Sequence, residues 1–162
     1  MNFTHYKNSN LASIVFTSGS TGVLKAVVHS ASQHLASAKG LTSEFEFTSE
    51  DSWLLSLPMY HVSGLSIIWR WLNQGAQLVI GTGQLSQDIQ LVTHASLVPV
   101  QLQNLLAEGK PSSLKRVLLG GAHIPLPLTE TAIKQGIECW IGYGMTETAS
   151  NVIAKKCDAS VT

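Results

Sequence analysis

Thr17-Ser18-Gly19-Ser20-Thr21-Gly22-Val23-Leu24-Lys25 brings four hydroxyls, two glycines and a cation into nine consecutive positions. Glycine lets backbone amides turn toward a ligand, the hydroxyls offer donors and Lys25 adds positive charge, a combination suited to a polyphosphate. A Walker loop is excluded, because its lysine runs into a helix, whereas Lys25 leads into the strand-like Ala26-Val27-Val28-His29. Further along, Pro58-Met59-Tyr60-His61 leaves a histidine at the rim of an apolar run, and Gly120-Gly121-Ala122-His123 closes another. Gly142-Tyr143-Gly144-Met145-Thr146-Glu147-Thr148 then supplies an aromatic ring, hydroxyls and a carboxylate. No GxSxG elbow, HExxH pair or GxGxxG turn after a strand is present.

These segments need a scaffold, and the hydrophobic pattern describes one. Short apolar, β-branched runs alternate with longer amphipathic stretches, as strands and crossover helices do in an α/β sheet. Strands are predicted at Ala12–Thr17, Ala26–His29, Trp53–Leu57, Gln77–Ile80, Ala95–Val98, Arg116–Leu119 and Glu138–Ile141. Ser30-Ala31-Ser32-Gln33 reads as a capping box that opens a helix through Lys39 or beyond. A second helix is expected after Gly64 and ends at Gly75; a third starts at Pro99 and ends at Gly109; a fourth fits Leu126–Gln135. The four unusual segments all fall at strand ends, where open α/β sheets hold their ligands.

Composition narrows the class. The chain has 162 residues, 44% hydrophobic and only 12% charged, against a charged fraction of about 25% in ordinary domains. That favours one folded domain with a real core, and some surface that normally faces more protein. Ten basic and ten acidic residues balance to zero, which gives no general attraction to nucleic acid or to an anionic membrane. No apolar run approaches the roughly 20 residues that span a bilayer, and Met1–Asn10 lacks the features of a secretion signal. Cys139 and Cys157 show no metal-type spacing and are expected to be reduced thiols in a cytoplasmic protein.

The order TSGSTG followed by Lys25 resembles the phosphate-binding signature of the adenylate-forming superfamily, which contains acyl-CoA synthetases, nonribosomal adenylation domains and luciferases. Leu24 and Ala26 stand where that signature commonly has Pro and Gly, so loop rigidity is expected to differ while the phosphate contacts persist. Pro58-Met59-Tyr60-His61 resembles the PxxH element of the superfamily, and Gly142–Thr148 resembles its YGxTE motif. The resemblance spans Thr17 to Thr148 and implies an α/β fold, with a mainly parallel sheet flanked by helices as part of the large N-terminal domain of an adenylate-forming enzyme. It implies that Thr17, Ser18, Gly19, Ser20, Thr21, Gly22 and Lys25 hold the phosphates of ATP. Gly120, Gly121 and Ala122 let adenine or the acyl ring lie flat, and Tyr143 and Gly144 serve the adenine, with Tyr143 stacking on it. Thr146 contacts the α-phosphate or acyl carbonyl, and Glu147 ligates Mg²⁺. His61 lines the acyl pocket and shields or gates it while the thiol of coenzyme A approaches.

A finer resemblance runs through Leu55–Leu72, Thr93–Pro99 and Leu118–Ala122, to the o-succinylbenzoate-CoA ligases of menaquinone synthesis. Such a substrate carries two carboxylates, one activated and one neutralised elsewhere. Arg70 is the candidate for the second, because guanidinium pairs carboxylates in a planar fork. Ser63 lies seven residues earlier, close to two helical turns, and is expected to share the pocket side. The superfamily's ribose-binding aspartate motif, hinge and C-terminal domain with its adenylation lysine find no counterpart in these residues. The expectation is therefore a partial domain, feebly active alone and self-associating through exposed apolar surface. Two alternatives stay open: a ligase for another aryl or fatty acid, and a noncatalytic ATP-binding or interaction module.

Overall fold

A computed structural model describes residues 7, 9–18, 23–109 and 113–158. Strands β1 (Leu11–Ser18) and β2 (Leu24–Ser30) form an antiparallel hairpin of their own. The other six strands make one sheet: β3 (Ser52–Leu54), β4 (Gln77–Val79), β5 (His94–Leu97), β6 (Arg116–Leu119), β7 (Glu138–Met145) and β8 (Ser150–Lys156), in the order β4-β3-β5-β6-β7-β8. All its pairings are parallel except β7 with β8. Helices α1 (Ala31–Glu44), α2 (Val62–Gln74), α3 (Leu85–Asp88), α4 (Pro99–Glu108) and α5 (Leu126–Lys134) complete the fold.

Local chemistry sets the helix ends. Ser30 caps α1 with the reciprocal pair read from the sequence: Gln33 N–H donates to Ser30 Oγ at 3.4 Å and Ser30 N–H to Gln33 Oε1 at 2.8 Å. Gly75 ends α2 in the left-handed conformation, φ 63°, which costs glycine little. Pro99 opens α4 with a ring already at helical φ.

Alternation along the strands divides the interior into two cores. On one face Leu54, Ala95, Leu97, Val117, Leu119 and Cys139 pack with Leu102, Leu105 and Ala132 of α4 and α5. On the other, Trp53, Leu118 and Trp140 pack with Leu41, Phe45, Phe47 and Ile67 around α1 and α2. Trp53, Leu119 and Ile67 are wholly buried, and truncating such side chains to alanine costs about 2–5 kcal/mol each. Helices on both faces of a parallel sheet are the expected α/β architecture.

The opposite end of the sheet from the strand carboxyl termini carries a charged rim. Asp51 receives Lys115 Nζ at 3.0 Å. Glu138 receives Arg116 Nε at 2.7 Å, Lys156 Nζ at 2.5 Å and Trp140 Nε1 at 2.7 Å, and Arg116 also pairs with Glu46. Burial alone would raise the Glu138 carboxyl, but the donors from Lys156, Trp140 and Arg116 outweigh it and hold its pKa at about 2.

Four differences from the sequence reading have physical causes. The first two strands leave the main sheet and stand as a hairpin, because they pair with each other from Leu11↔Ser30 to Ser18↔Leu24. Strand β7 continues to Met145 instead of ending at Ile141, since β8 extends the ladder through Gly142↔Ala154 and Met145↔Ser150. Strand β8 itself went unread: it is an edge strand with most side chains in water, so its sequence carries no period-two alternation. Helix α2 begins at Val62, ahead of Gly64, because the His61 carbonyl already accepts from the Leu65 N–H at 3.1 Å.

Candidate functional site

The carboxyl ends of β3, β5, β6 and β7 open into a cavity of about 510 Å³. Pro58, His61 and Ser63 border it from the turn into α2, and Arg70 from two turns along that helix. Ser96 and Val98 come from the end of β5, Gly120 and Gly121 from the end of β6, and Gly142, Gly144 and Thr146 from β7 and the turn after it. Glycine is required at two of these places. A Cβ on Gly64 would lie 2.2 Å from the Pro58 carbonyl, so glycine lets α2 start hard against the turn that carries His61. A Cβ on Gly144 would lie 1.7 Å from the Ser150 carbonyl, so glycine lets β8 close over β7.

Arg70 is the unusual group. Only 2% of it is exposed. Its Nη1 donates to Ser96 Oγ at 3.3 Å, and its Nη2 to Asn151 Oδ1 at 2.8 Å and Ser150 Oγ at 3.4 Å. The guanidinium carbon lies 5.0 Å from the Trp53 ring centroid, a cation–π distance. Burial pushes Arg70 down to about 9, which still leaves it charged at neutral pH. All these partners are neutral, and among the described residues Arg70 forms no salt bridge. A desolvated cation without an anion costs several kcal/mol, so its cavity edge is a place where a carboxylate would be held.

Backbone strain supports the same corner. Thr146–Thr148 forms a 3₁₀ turn, and Ala149 and Ser150 follow with φ 56° and 107°, both in the left-handed region that side chains disfavour. Thr148 braces this turn: its hydroxyl lies 2.9 Å from the Met145 carbonyl and 3.0 Å from the Ser150 carbonyl, and its single proton is shared between them. The strained step brings Ser150 and Asn151 back against Arg70. Asn151 lies so close over β7 that a Cβ on Gly142 would meet its amide nitrogen at 2.2 Å.

The structure gathers His61, Ser63, Arg70, Gly120, Gly121, Gly144 and Thr146 around one cavity. Tyr143 points to the outside of β7 and is 62% exposed, while Ala122 and Glu147 are exposed beside the opening. Lys25 pairs with Thr17 across the hairpin, and β2 runs against the Thr146–Thr148 turn, so the hairpin and the carboxylate of Glu147 belong to one side of the molecule. Gly19, Ser20, Thr21 and Gly22 lie outside the described residues, as does the Ser18 side chain. Ser96, Ser150 and Asn151 were missed by the sequence reading. Asn151 acts on an arginine 81 positions away, and no local pattern marks such a partner.

Residues 3–161 match the family described as AMP-binding enzyme. The chain belongs to that family. Among AMP-binding enzymes, it is 54% identical to the 2-succinylbenzoate–CoA ligase of Salmonella typhimurium over 96% of its length, and 52% identical to that of Haemophilus influenzae over 91%. It spans about a third of the length of these curated relatives, 34% in each case. The structure of wild-type E. coli MenE with a bound phenylether-linked analogue of OSB-AMS superposes with a TM-score of 0.88 at 51% identity, covering 94% of this chain and 34% of that one. O-succinylbenzoate coenzyme A synthetase (MenE) from Bacillus subtilis, in complex with ATP and magnesium ion, superposes with a TM-score of 0.84 at 33% identity, covering 93% and 33%. The fold is thus that of the N-terminal domain of adenylate-forming enzymes.

Proposed function

We propose that the chain is the central nucleotide- and acid-binding part of an AMP-forming acid–CoA ligase that activates o-succinylbenzoate for menaquinone biosynthesis in the cytoplasm. The observation that carries the reading is Arg70: a buried, charged guanidinium with only neutral partners at the wall of the cavity. A dicarboxylic acid fits this arrangement, one carboxylate held by Arg70 and the other free to react.

The chemistry divides into two displacements. A carboxylate oxygen of the acid attacks the α-phosphorus of ATP, the bond to the bridging oxygen breaks, and pyrophosphate leaves. The thiol of coenzyme A then attacks the acyl carbonyl of the adenylate, losing its proton, and AMP departs with the bonding pair. In this reading Thr17, Ser18, Gly19, Ser20, Thr21, Gly22 and Lys25 hold the phosphates, because hydrogen-bond donors and a cation stabilise charge as it moves onto oxygen. Gly120, Gly121, Ala122 and Gly144 leave flat surface for rings, Tyr143 offers its exposed face to adenine, and Thr146 donates to the α-phosphate or acyl carbonyl. His61, exposed at the start of α2, screens the acyl pocket from water until the thiol arrives. Glu147, an exposed carboxylate in the turn after β7, would hold Mg²⁺, and the ion would supply neutralisation of charge on the triphosphate.

The exposed apolar side chains of the hairpin, Ile14, Phe16, Leu24 and Val28, support self-association of the 162 residues alone, and a strictly monomeric sedimentation profile at high concentration would exclude it. Among the described residues no helix is long and apolar enough to cross a membrane.

The reading is tested by calorimetric titration with two sulfamoyl-adenosine acyl analogues, one carrying the o-succinylbenzoyl group and one the benzoyl group. The second carboxylate should tighten binding by about 10–100-fold through a charge-assisted fork to Arg70. Arg70→Met should erase that difference while leaving the benzoyl analogue bound. Equal affinities in the unaltered chain would redirect the assignment to another aryl or fatty acid, and failure of both analogues to bind would favour a noncatalytic module.

A further inference from the structure

The far end of the β7–β8 ladder places two thiols on one rung. The register Trp140↔Lys156, carried one step further, sets Cys139 opposite Cys157, and the Cys157 N–H donates to the Cys139 carbonyl at 2.8 Å. In antiparallel pairs a hydrogen-bonded rung holds its Cα atoms about 5.5 Å apart, inside the roughly 4.4–6.8 Å that a disulfide spans. Residues opposite each other present their side chains to the same face of the sheet. The packing agrees: Cys139 is part of the core beneath α4 and α5, and Cys157 packs against that same core. Both thiols are free, Cys139 fully buried and Cys157 half-buried.

We propose that Cys139 and Cys157 are a dithiol–disulfide pair, a reversible oxidation site that staples the end of β8 to the start of β7. The oxidant is a low-molecular-weight disulfide. The Cys157 thiolate, the one reachable from solution, attacks one sulfur of that disulfide; a mixed disulfide forms and the other half leaves as thiolate. The Cys139 thiolate then attacks the Cys157 sulfur, the protein disulfide forms, and the second half leaves. Two protein thiols and one disulfide become one protein disulfide and two small thiols, with no electrons unaccounted for.

The surroundings set the rate. Burial pushes the Cys139 thiol up to about 12, with the neighbouring Cys157 and Glu138 adding to it. Burial also raises Cys157, and Asp158 adds to that while Lys155 opposes it. Thiolate is therefore scarce at neutral pH, and closure is slow there and accelerates as pH rises. In a reducing compartment the pair stays open and responds only to an oxidising episode.

The segment enclosed by the bridge gives it a consequence. Between Cys139 and Cys157 lie Gly142, Gly144, Met145, Thr146, Ser150 and Asn151, every cavity-lining residue of β7, β8 and the turn between them. Closure would restrict the very segment that braces Arg70. The inference itself rests on the rung and not on the ligase reading.

The test is incubation of the full chain with glutathione disulfide at pH 8.5, followed by thiol titration and non-reducing peptide mapping. Both thiols should disappear, a Cys139–Cys157 cross-linked peptide should appear, and the mass should fall by about 2 Da for the two hydrogens lost. The unfolding midpoint of the oxidised chain should rise by about 5–10 °C, as expected for closing a loop of this size, and Cys157→Ser should abolish the rise. Glutathione retained on Cys157 with Cys139 still free, a dimer linked through Cys157, or two thiols untouched after prolonged incubation would each overturn the proposal.

Discussion

His34 lies face to face with Trp69, ring centroids 4.9 Å apart and planes 7° from parallel, while His34 Nε2 meets Ser13 Oγ at 2.7 Å. One α1 side chain therefore ties the hairpin that carries Thr17 and Lys25 to α2, the helix that carries Arg70. His34→Ala should cost about 2–3 kcal/mol, from the lost buried volume and the orphaned hydroxyl. It should also expose the hairpin to limited proteolysis before the main sheet. An unaltered cleavage pattern would show that other contacts suffice to seat the hairpin.

Acid should unfold the protein in two stages. Burial drives His34 down to about 4, with the charge of His29 adding to it, and drives His94 to about 4 against the opposing pull of Asp51. In the unfolded chain a histidine titrates near 6.5. The unfolded state thus takes up protons first, and stability is complete above pH ~6.5 and declines toward pH ~4, by about 3 kcal/mol per histidine. Glu138, held near 2, contributes stability above the ordinary carboxyl range that is lost only as pH falls further toward 2. Urea midpoints at pH 7, 5 and 4 should fall steadily; a flat profile between pH 7 and 5 would contradict the buried neutral histidines.

Arg70→Met should separate stability from binding. Replacing a buried cation that lacks an anion with an apolar chain of similar length is neutral to stabilising, here by about 1 kcal/mol. Ser150 already donates to Asn151 Oδ1 at 3.1 Å, so those two groups retain a partner. Thermal melts of the variant should match or exceed the parent, and a loss above about 2 kcal/mol would mean that the guanidinium is structural, contrary to the general pattern for unpaired buried charge.

Three glycine-to-alanine changes should differ sharply. At Gly64 and Gly144 the new Cβ meets backbone at 2.2 and 1.7 Å, and each should cost about 3 kcal/mol through forced backbone shifts. A Cβ on Gly40, inside α1, would have no neighbour within 4 Å, so Gly40→Ala should stabilise by about 0.5–1 kcal/mol. Denaturation curves of the three variants settle the ranking.

What the sequence revealed follows from the range of each interaction. The Ser30 cap, Pro99 and Gly75 act within one helical turn, and local pattern was enough to read them. The glycine-rich and acidic segments stood out because residue order alone carries them. Asn151 and Ser96 did not, since their relation to Arg70 exists only once β5, β8 and α2 have assembled. Edge strand β8 escaped for a related reason: it is specified by pairing with β7 and not by a buried face of its own.

The ionic lattice of Asp51, Lys115, Arg116, Glu138 and Lys156 occupies one pole of the sheet and the cavity occupies the other. Hardening and specificity are thereby assigned to separate addresses. Asp51, Lys115 and Arg116 at the first pole border none of the cavity, so changes there have no steric route to ligand choice, whereas Glu138 and Lys156 sit on the two strands that run through to the second pole.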